Sequence, residues 1–217
     1  MTDETTTPSP PVTDPPATGI TTGMNFMALD LEMNQPSNRI IQVGVAVGNG
    51  QNGVTLTRSW FVDPEEPVDE RITDLTGISD ETIAAHAVPW PVVASELAAL
   101  CDEYKPFYQP VQWGMGDGDL LRKEFLLRGI EWRRWGRRDL DVKQLYTYLR
   151  FADGLSAKGG LAHSMGKFGL PFEGTPHRAD TDARNTLRFF LFLLARQTRL
   201  ERVYSAVGHY SESLDRA

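Results

Sequence analysis

The sequence predicts an α/β domain with a mixed sheet. Three strand-like segments joined by tight turns come first, as in an antiparallel meander. The apolar period then changes from two to that of amphipathic helices. Two further short strands are interleaved with those helices, so strands lead and mixed strands and helices follow.

Residues 1–22 are rich in Thr and Pro and nearly lack large apolar side chains. Such a stretch cannot bury enough surface to order itself, and a disordered tail is expected there. The first strand, over 24–33, contains Met27-Ala28-Leu29-Asp30-Leu31-Glu32. A turn over Asn34–Asn38 follows, stiffened by Pro36. Residues 39–47 alternate, placing Ile41, Val43, Val45 and Val47 on one face. A turn over 48–53, rich in Gly and Asn, leads to a third strand over 54–62.

Short helices are expected over 68–86, around Leu75-Thr76-Gly77-Ile78-Ser79. Pro89 and Pro91 precede a helix over about 92–103, with Val93, Leu97 and Leu100 on one side. A short strand over 110–114 runs into Trp113-Gly114-Met115-Gly116-Asp117, and a helix continues to about Leu127. A fifth strand is expected over 138–142, with Asp141 capping a helix over 142–149. A further helix covers 160–168. His177 opens the last one, which carries Ala179, Ala183, Leu187, Phe190, Leu191 and Leu194. The expected division is a tail over 1–22, a domain over 23–198 and a helical extension over 199–217.

The 217 residues suffice for one domain with a substantial core. No apolar run is long enough to span a bilayer, and the polar N-terminus does not read as a signal peptide. Cys101 is the single cysteine. It excludes a disulfide framework or a cysteine zinc site within one chain, and fits a cytoplasmic location. Net charge is −7, which argues against general nucleic-acid binding. Contact with nucleic acid must then be local, or made through metal ions.

Side chains on a strand alternate faces, so Asp30 and Glu32 point the same way. Two adjacent carboxylates in an apolar strand raise each other's pKa, and burial adds a desolvation cost. A hard divalent cation such as Mg²⁺ or Mn²⁺ removes that conflict. On this hexapeptide alone, two solvated acids at a strand end fit equally well. Asp117 and Asp119 lie in a glycine-rich junction, either a capped turn or a third carboxylate at a sheet edge. At about 100° per residue, Asp117 projects with Leu121 and Phe125 toward the core, and Asp119 sits roughly 200° away. His177, five residues before Asp182 at a helix start, can aim with it at one point. An imidazole with a pKa of ~6.5 takes a proton from water near neutral pH. Taken singly, a flexible turn and an acid favoured by the helix dipole account for these two strings better.

Together, Asp30-x-Glu32, Asp117 and His177-x-x-x-x-Asp182 resemble the DEDDh 3′–5′ exonuclease family, with its ribonuclease H-like fold of a mixed five-stranded sheet flanked by helices. The resemblance covers residues 25–195 and extends to Leu75-Thr76-Gly77-Ile78, Asp141–Tyr146 and Gly169–Gly174. Trp113-Gly114-x-x-Asp117 and Gly174-Thr175-Pro176-His177-Arg178 look most like the Eri-type exoribonuclease branch. Asp180 and Thr181 depart from the family, which usually has an aliphatic residue and then an acid there.

The resemblance implies two Mg²⁺ ions, replaceable by Mn²⁺, held by Asp30, Glu32, Asp117 and Asp182, partly through water. It implies His177 as the general base, and Met33, with Glu32 and His177, beside the terminal nucleotide, although core packing accounts for Met33 equally well. Nucleoside 5′-monophosphates would be released from 3′ ends of single-stranded RNA or DNA, RNA being the first choice. The alternatives are a 3′–5′ exodeoxyribonuclease, or a non-catalytic nucleic-acid-binding module on the same fold. A lost acid or histidine would mark the module, and none of the five is lost. No membrane association is expected, and the oligomeric state is left open, a homodimer included. Arg133, Arg134, Arg137 and Arg138 surround Trp132 and Trp135. They fit a stacking surface for single strands or, better, a solvated loop.

Overall fold

The computed structural model describes residues 23–136 and 138–214, and side chains as far as 197. The tail expected over 1–22 lies outside the described residues. Strands β1 (Phe26–Met33), β2 (Ile40–Asn49) and β3 (Gly53–Phe61) form the antiparallel meander. β4 (Val111–Gln112) joins β1 in parallel, and β5 (Leu140–Asp141) joins β4 in parallel. The five-stranded order is β3-β2-β1-β4-β5, so the acidic strand is central in a mixed sheet.

Helices α1 (Glu70–Thr76) and α2 (Asp80–His86) follow β3 and are separated by a sharp stop. Gly77 ends α1 at φ 70°, a left-handed conformation that glycine adopts without a Cβ penalty. The Ser79 hydroxyl then accepts the Thr82 N–H to start α2. α3 (Trp90–Tyr104) precedes β4, and α4 (Asp117–Leu127) follows it. α5 (Val142–Ala152) is capped by Asp141, whose carboxylate accepts the Gln144 N–H as expected. α6 (Leu161–Gly166) leads to α7 (Ala179–Leu214), within which the expected boundary at 198/199 falls.

Each sheet face buries a different helical layer. Met27, Leu29, Leu31, Val43, Val45 and Val47 pack on Val93 and Leu97 of α3 and on Leu121 and Phe125 of α4. Phe26, Ala28 and Ala46 pack under Tyr146 of α5, Met165 of α6, and Ala183 and Leu187 of α7. By the alternation of β1, Asp30 and Glu32 belong to this second face.

Two expectations are corrected. The register between β1 and β2 shifts after Glu32, so Met33 pairs with Ile40 and Ile41 is the extra residue of a bulge. Ile40 therefore joins Val43, Val45 and Val47, while Ile41 leaves that face to pack with Val68, Ile78 and Ile83. The second correction concerns His177, which does not open α7. The helix begins at Ala179, and His177 sits before it with φ 61°.

The alternating pattern of β2 conceals that the strand is buried on both faces along its whole length. Its second face carries Gln42, Gly44, Ala46 and Gly48, small or hydrogen-bonding side chains under which α7 lies close. A Cβ on Gly44 would come within 2.0 Å of the Ala179 carbonyl carbon.

Candidate active site

Asp30 and Glu32 stand in mid-sheet, directly across from Gly44 and Gln42 of β2. The first turn of α7 rests on those two β2 residues. Gln42 is fully buried, and its side-chain oxygen accepts the Ala179 N–H at 3.1 Å. Gly44 leaves room for the adjacent backbone. This contact, between residues 137 positions apart, carries Asp182 to the β1 acids. Carboxylate oxygens of Asp30, Glu32 and Asp182 lie within 4.8 Å of one another.

The loop before α7 is closed by Asp182 itself. Its Oδ2 accepts the His177 N–H at 2.8 Å, and its own N–H donates to the Arg178 carbonyl. The first bond satisfies a backbone N–H ahead of the helix, and the second is the ordinary i→i−4 bond that starts the helix. His177 takes a left-handed backbone at φ 61° beside this loop bond, which costs a non-glycine residue roughly 1–2 kcal/mol. The His177 side chain is exposed. Arg178 lays its guanidinium 5.4 Å from the Phe61 ring and lowers the pKa of Glu32.

Asp117 is the first residue of α4, after Gly116 at φ 123°. It is half-buried, and the Leu31 N–H of β1 stabilises its carboxylate. Asp119 faces solvent, 77% exposed, and pairs with Arg122 at 2.7 Å. Leu121 and Phe125 are fully buried, so the helical frame expected for the two aspartates holds. Behind Asp117 lies Asp139, which also pairs with Arg122.

The acids titrate as a repelling group. Burial, then Asp117, Asp182 and Glu32, hold Asp30 well above the ordinary carboxylate range. Burial and then Asp182 and Asp117 push Glu32 to about 7. Burial and then Asp139 push Asp117 to about 7. Burial raises Asp182 as well, against the opposing His177 and Arg178 backbone N–H groups. An all-oxygen set of this kind suits a hard divalent cation, and these residues fit one.

A pH dependence follows with a definite sign. For Glu32 and Asp117 the folded pKa lies above the unfolded one. Their contribution to stability is full below about pH 4 and is lost as pH rises through about 7. A bound cation needs the charged acids and relieves their repulsion. Thermal melts with EDTA or Mg²⁺ should show a larger metal-induced rise in Tm at pH 8 than at pH 5.5. Equal rises at both pH values would mean that these carboxylates do not hold the ion.

Met33 is half-buried and packs against the α3/α4 cluster. The tryptophans of the arginine-rich loop pack on the core. Trp135 is buried, and Trp132 packs 5.2 Å from both the Phe125 and Trp135 rings. Arg133 pairs with Glu131, and Arg134 with Asp102. For Arg133 and Arg134 the ion-paired, solvated loop is what forms, and Arg137 lies outside the described residues. Gln42, Gly44, Arg178 and Asp139 were not singled out by sequence. Only Arg178 had a local signal, its place beside His177.

The exonuclease family model RNase_T matches residues 21–190. No curated protein sequence matches the chain. Among solved structures, the nuclease domain of 3′hExo, a DEDDh family member bound to rAMP, aligns at 17% identity with a TM-score of 0.66. The alignment covers 82% of this chain and 94% of that one. Cell-death related nuclease 4 (CRN-4) aligns at 17% identity with a TM-score of 0.65, over 81% of this chain and 64% of that one. The zinc-bound complex of E. coli ExoI with single-stranded DNA aligns at 16% identity with a TM-score of 0.63, over 84% of this chain and 43% of that one. The chain thus spans less than two thirds of the last two, and all three share its ribonuclease H-like fold. Among the described residues, no helix is long and apolar enough to cross a membrane.

Proposed function

This chain belongs to the RNase_T exonuclease family, in line with the DEDDh pattern of its motifs, and from that membership we propose a metal-dependent 3′–5′ exonuclease that releases nucleoside 5′-monophosphates from single strands. The observation that carries the proposal is the convergence of Asp30, Glu32 and Asp182 oxygens within 4.8 Å. Asp117 lies outside that 4.8 Å group, its charge still raises the pKa of Asp30, and we assign it as the fourth acid on its match to the family's second motif. Two Mg²⁺ ions, replaceable by Mn²⁺, would be held by these four acids. Bound there, they supply charge stabilisation to the attacking and leaving oxygens of an in-line displacement at phosphorus.

The remaining work falls to the protein. The His177 imidazole takes a proton from the attacking water at a ring nitrogen. Its exposed loop position lets it meet the scissile phosphate, and the bond from its N–H to Asp182 keeps the loop in register with the acids. Arg178 lowers the cost of charge on Glu32, and Met33, with Glu32 and His177, contacts the terminal nucleotide. RNA is proposed ahead of DNA on the Eri-type form of Trp113-Gly114-x-x-Asp117. The 3′hExo structure holds rAMP and the E. coli ExoI structure single-stranded DNA, so both classes enter the test.

That test incubates 5′-labelled single-stranded RNA and DNA with the protein, in Mg²⁺, in Mn²⁺ and in EDTA. Stepwise shortening from the 3′ end, with nucleoside 5′-monophosphates released in either metal and none in EDTA, is expected. Full activity after exhaustive chelation would remove the two-metal reading.

For His177→Ala, turnover should fall by about two orders of magnitude, with metal binding retained by calorimetry. The bond to Asp182 comes from the backbone N–H, which alanine keeps. Loss of metal binding in this variant would make the histidine a ligand instead.

A further inference from the structure

The exposed face of α5 begins beside the candidate site and leads away from it. We propose that this face, through Tyr148 and Phe151, binds the nucleotides upstream of the 3′ end of a single strand, an inference that rests on the exonuclease reading. Met115 lies two residues before Asp117, is 78% exposed, and accepts the Gln144 side-chain N–H at its sulfur, 3.1 Å away. Gln144, Tyr148 and Phe151 fall within about 60° of one another on a helix of ~100° per residue. Tyr148 is 70% and Phe151 66% exposed, large apolar area for a helix whose opposite side is buried in the core. The row from Gln144 to Phe151 is about 10 Å long at ~1.5 Å per residue. That is room for about three nucleotides at stacking distance.

Charge selects the occupant. In a chain of net charge −7, α5 itself holds two basic side chains, Lys143 and Arg150, and no acid, with Asp141 and Asp153 at its two ends. Asp153 is already paired with Arg196 at 3.7 Å. Lys143 and Arg150, two turns apart, run along one flank of the aromatic row. Among the described residues neither has a carboxylate partner, in contrast to Arg133 and Arg134, although the Arg150 Nε–H donates to the Ser156 carbonyl at 3.0 Å. A basic flank beside exposed aromatic faces is the pattern that holds single strands without reading their sequence. A second copy of the chain docked by a two-fold contact would set the same basic flank against itself. A polyanion is complementary to it, and through Met115 the row meets the loop that leads into Asp117.

The test uses Tyr148→Ala/Phe151→Ala in the full chain, both positions being exposed. Hydrolysis of a ten-nucleotide single strand is compared with that of a dinucleotide, which is too short to reach α5. Binding of a fluorescein-labelled ten-nucleotide strand is measured by anisotropy in EDTA, and oligomeric state by sedimentation. In wild type the longer strand should have the higher kcat/KM. In the double variant that advantage should shrink at least about tenfold, and the anisotropy Kd should rise to match. If wild type cuts neither substrate, the exonuclease reading fails, and the anisotropy comparison alone still decides the surface. Unchanged binding overturns the proposal, as does an equal loss of hydrolysis on both substrates. A changed oligomeric state without a change in strand affinity would make the face a self-interface and overturns it too.

Discussion

Asp117→Ala is expected to lose at least three orders of magnitude in turnover, while Asp119→Ala keeps most of it. Three orders correspond to about 4 kcal/mol of transition-state stabilisation. The two aspartates are two residues apart in one glycine-rich string, so their difference is purely geometric. Asp117 starts α4 and is tied to β1 by the Leu31 N–H, and its charge is felt by Asp30 and Glu32. Alanine there removes one of four acids proposed to hold the cations. Asp119 points outward to Arg122, an exposed ion pair worth about 0–1 kcal/mol. When Asp119 is removed, Arg122 keeps Asp139 at 3.3 Å and the Gly136 carbonyl at 3.1 Å. Both variants should be assayed on one labelled single strand at saturating Mg²⁺, with Tm measured alongside. The reverse ranking would mean that the α4 frame is turned and that Asp119 reaches the acids.

How much of this site was legible in the sequence depends on how each residue acts. Asp30, Glu32, Asp117, His177 and Asp182 are proposed to act by the chemistry of their side chains, so the three motifs together, through the family they resemble, could point to them where each string alone could not. Gln42 and Gly44 act by where α7 lies, 137 positions further on. Their local pattern, a small or polar residue at every second place, reads as the second side of an alternating strand. Ile41 was misplaced because a bulge breaks period two, and neither neighbouring residue announces it. The start of α7 was read two residues early for a related reason. His177 belongs to the motif by chemistry, but its left-handed backbone, beside the Asp182 bond, is not that of the helix. Asp139 escaped because its relation to Asp117 exists only once β5 lies beside β4 under the start of α4.

Gly44→Ala is expected to lower Tm by roughly 6–12 °C and turnover by about a hundredfold, although a single methyl group is added outside the acids. The new Cβ would lie 2.0 Å from the Ala179 carbonyl carbon and 2.4 Å from the Asp180 nitrogen. Both are backbone atoms, so no side-chain rotation relieves the overlap. Either β2 bends or the start of α7 lifts. Overpacking of this kind costs about 1–3 kcal/mol, more where backbone must move, and about 3 kcal/mol yields that Tm range for a chain of this size. Lifting α7 also breaks the bond from the Ala179 N–H to the buried Gln42 oxygen. It carries Asp182 and the His177 loop away from Asp30 and Glu32, and a displacement of about 1 Å costs on the order of a hundredfold in rate. Turnover should therefore be compared at 20 °C with circular dichroism confirming the fold, and Mg²⁺ affinity should weaken in parallel. Gly166→Ala serves as the control, because a Cβ there meets nothing within 4 Å. It should leave Tm and turnover near those of wild type. If Gly44→Ala behaves like that control, the start of α7 does not rest on β2, and Asp182 is brought to the β1 acids by some other contact.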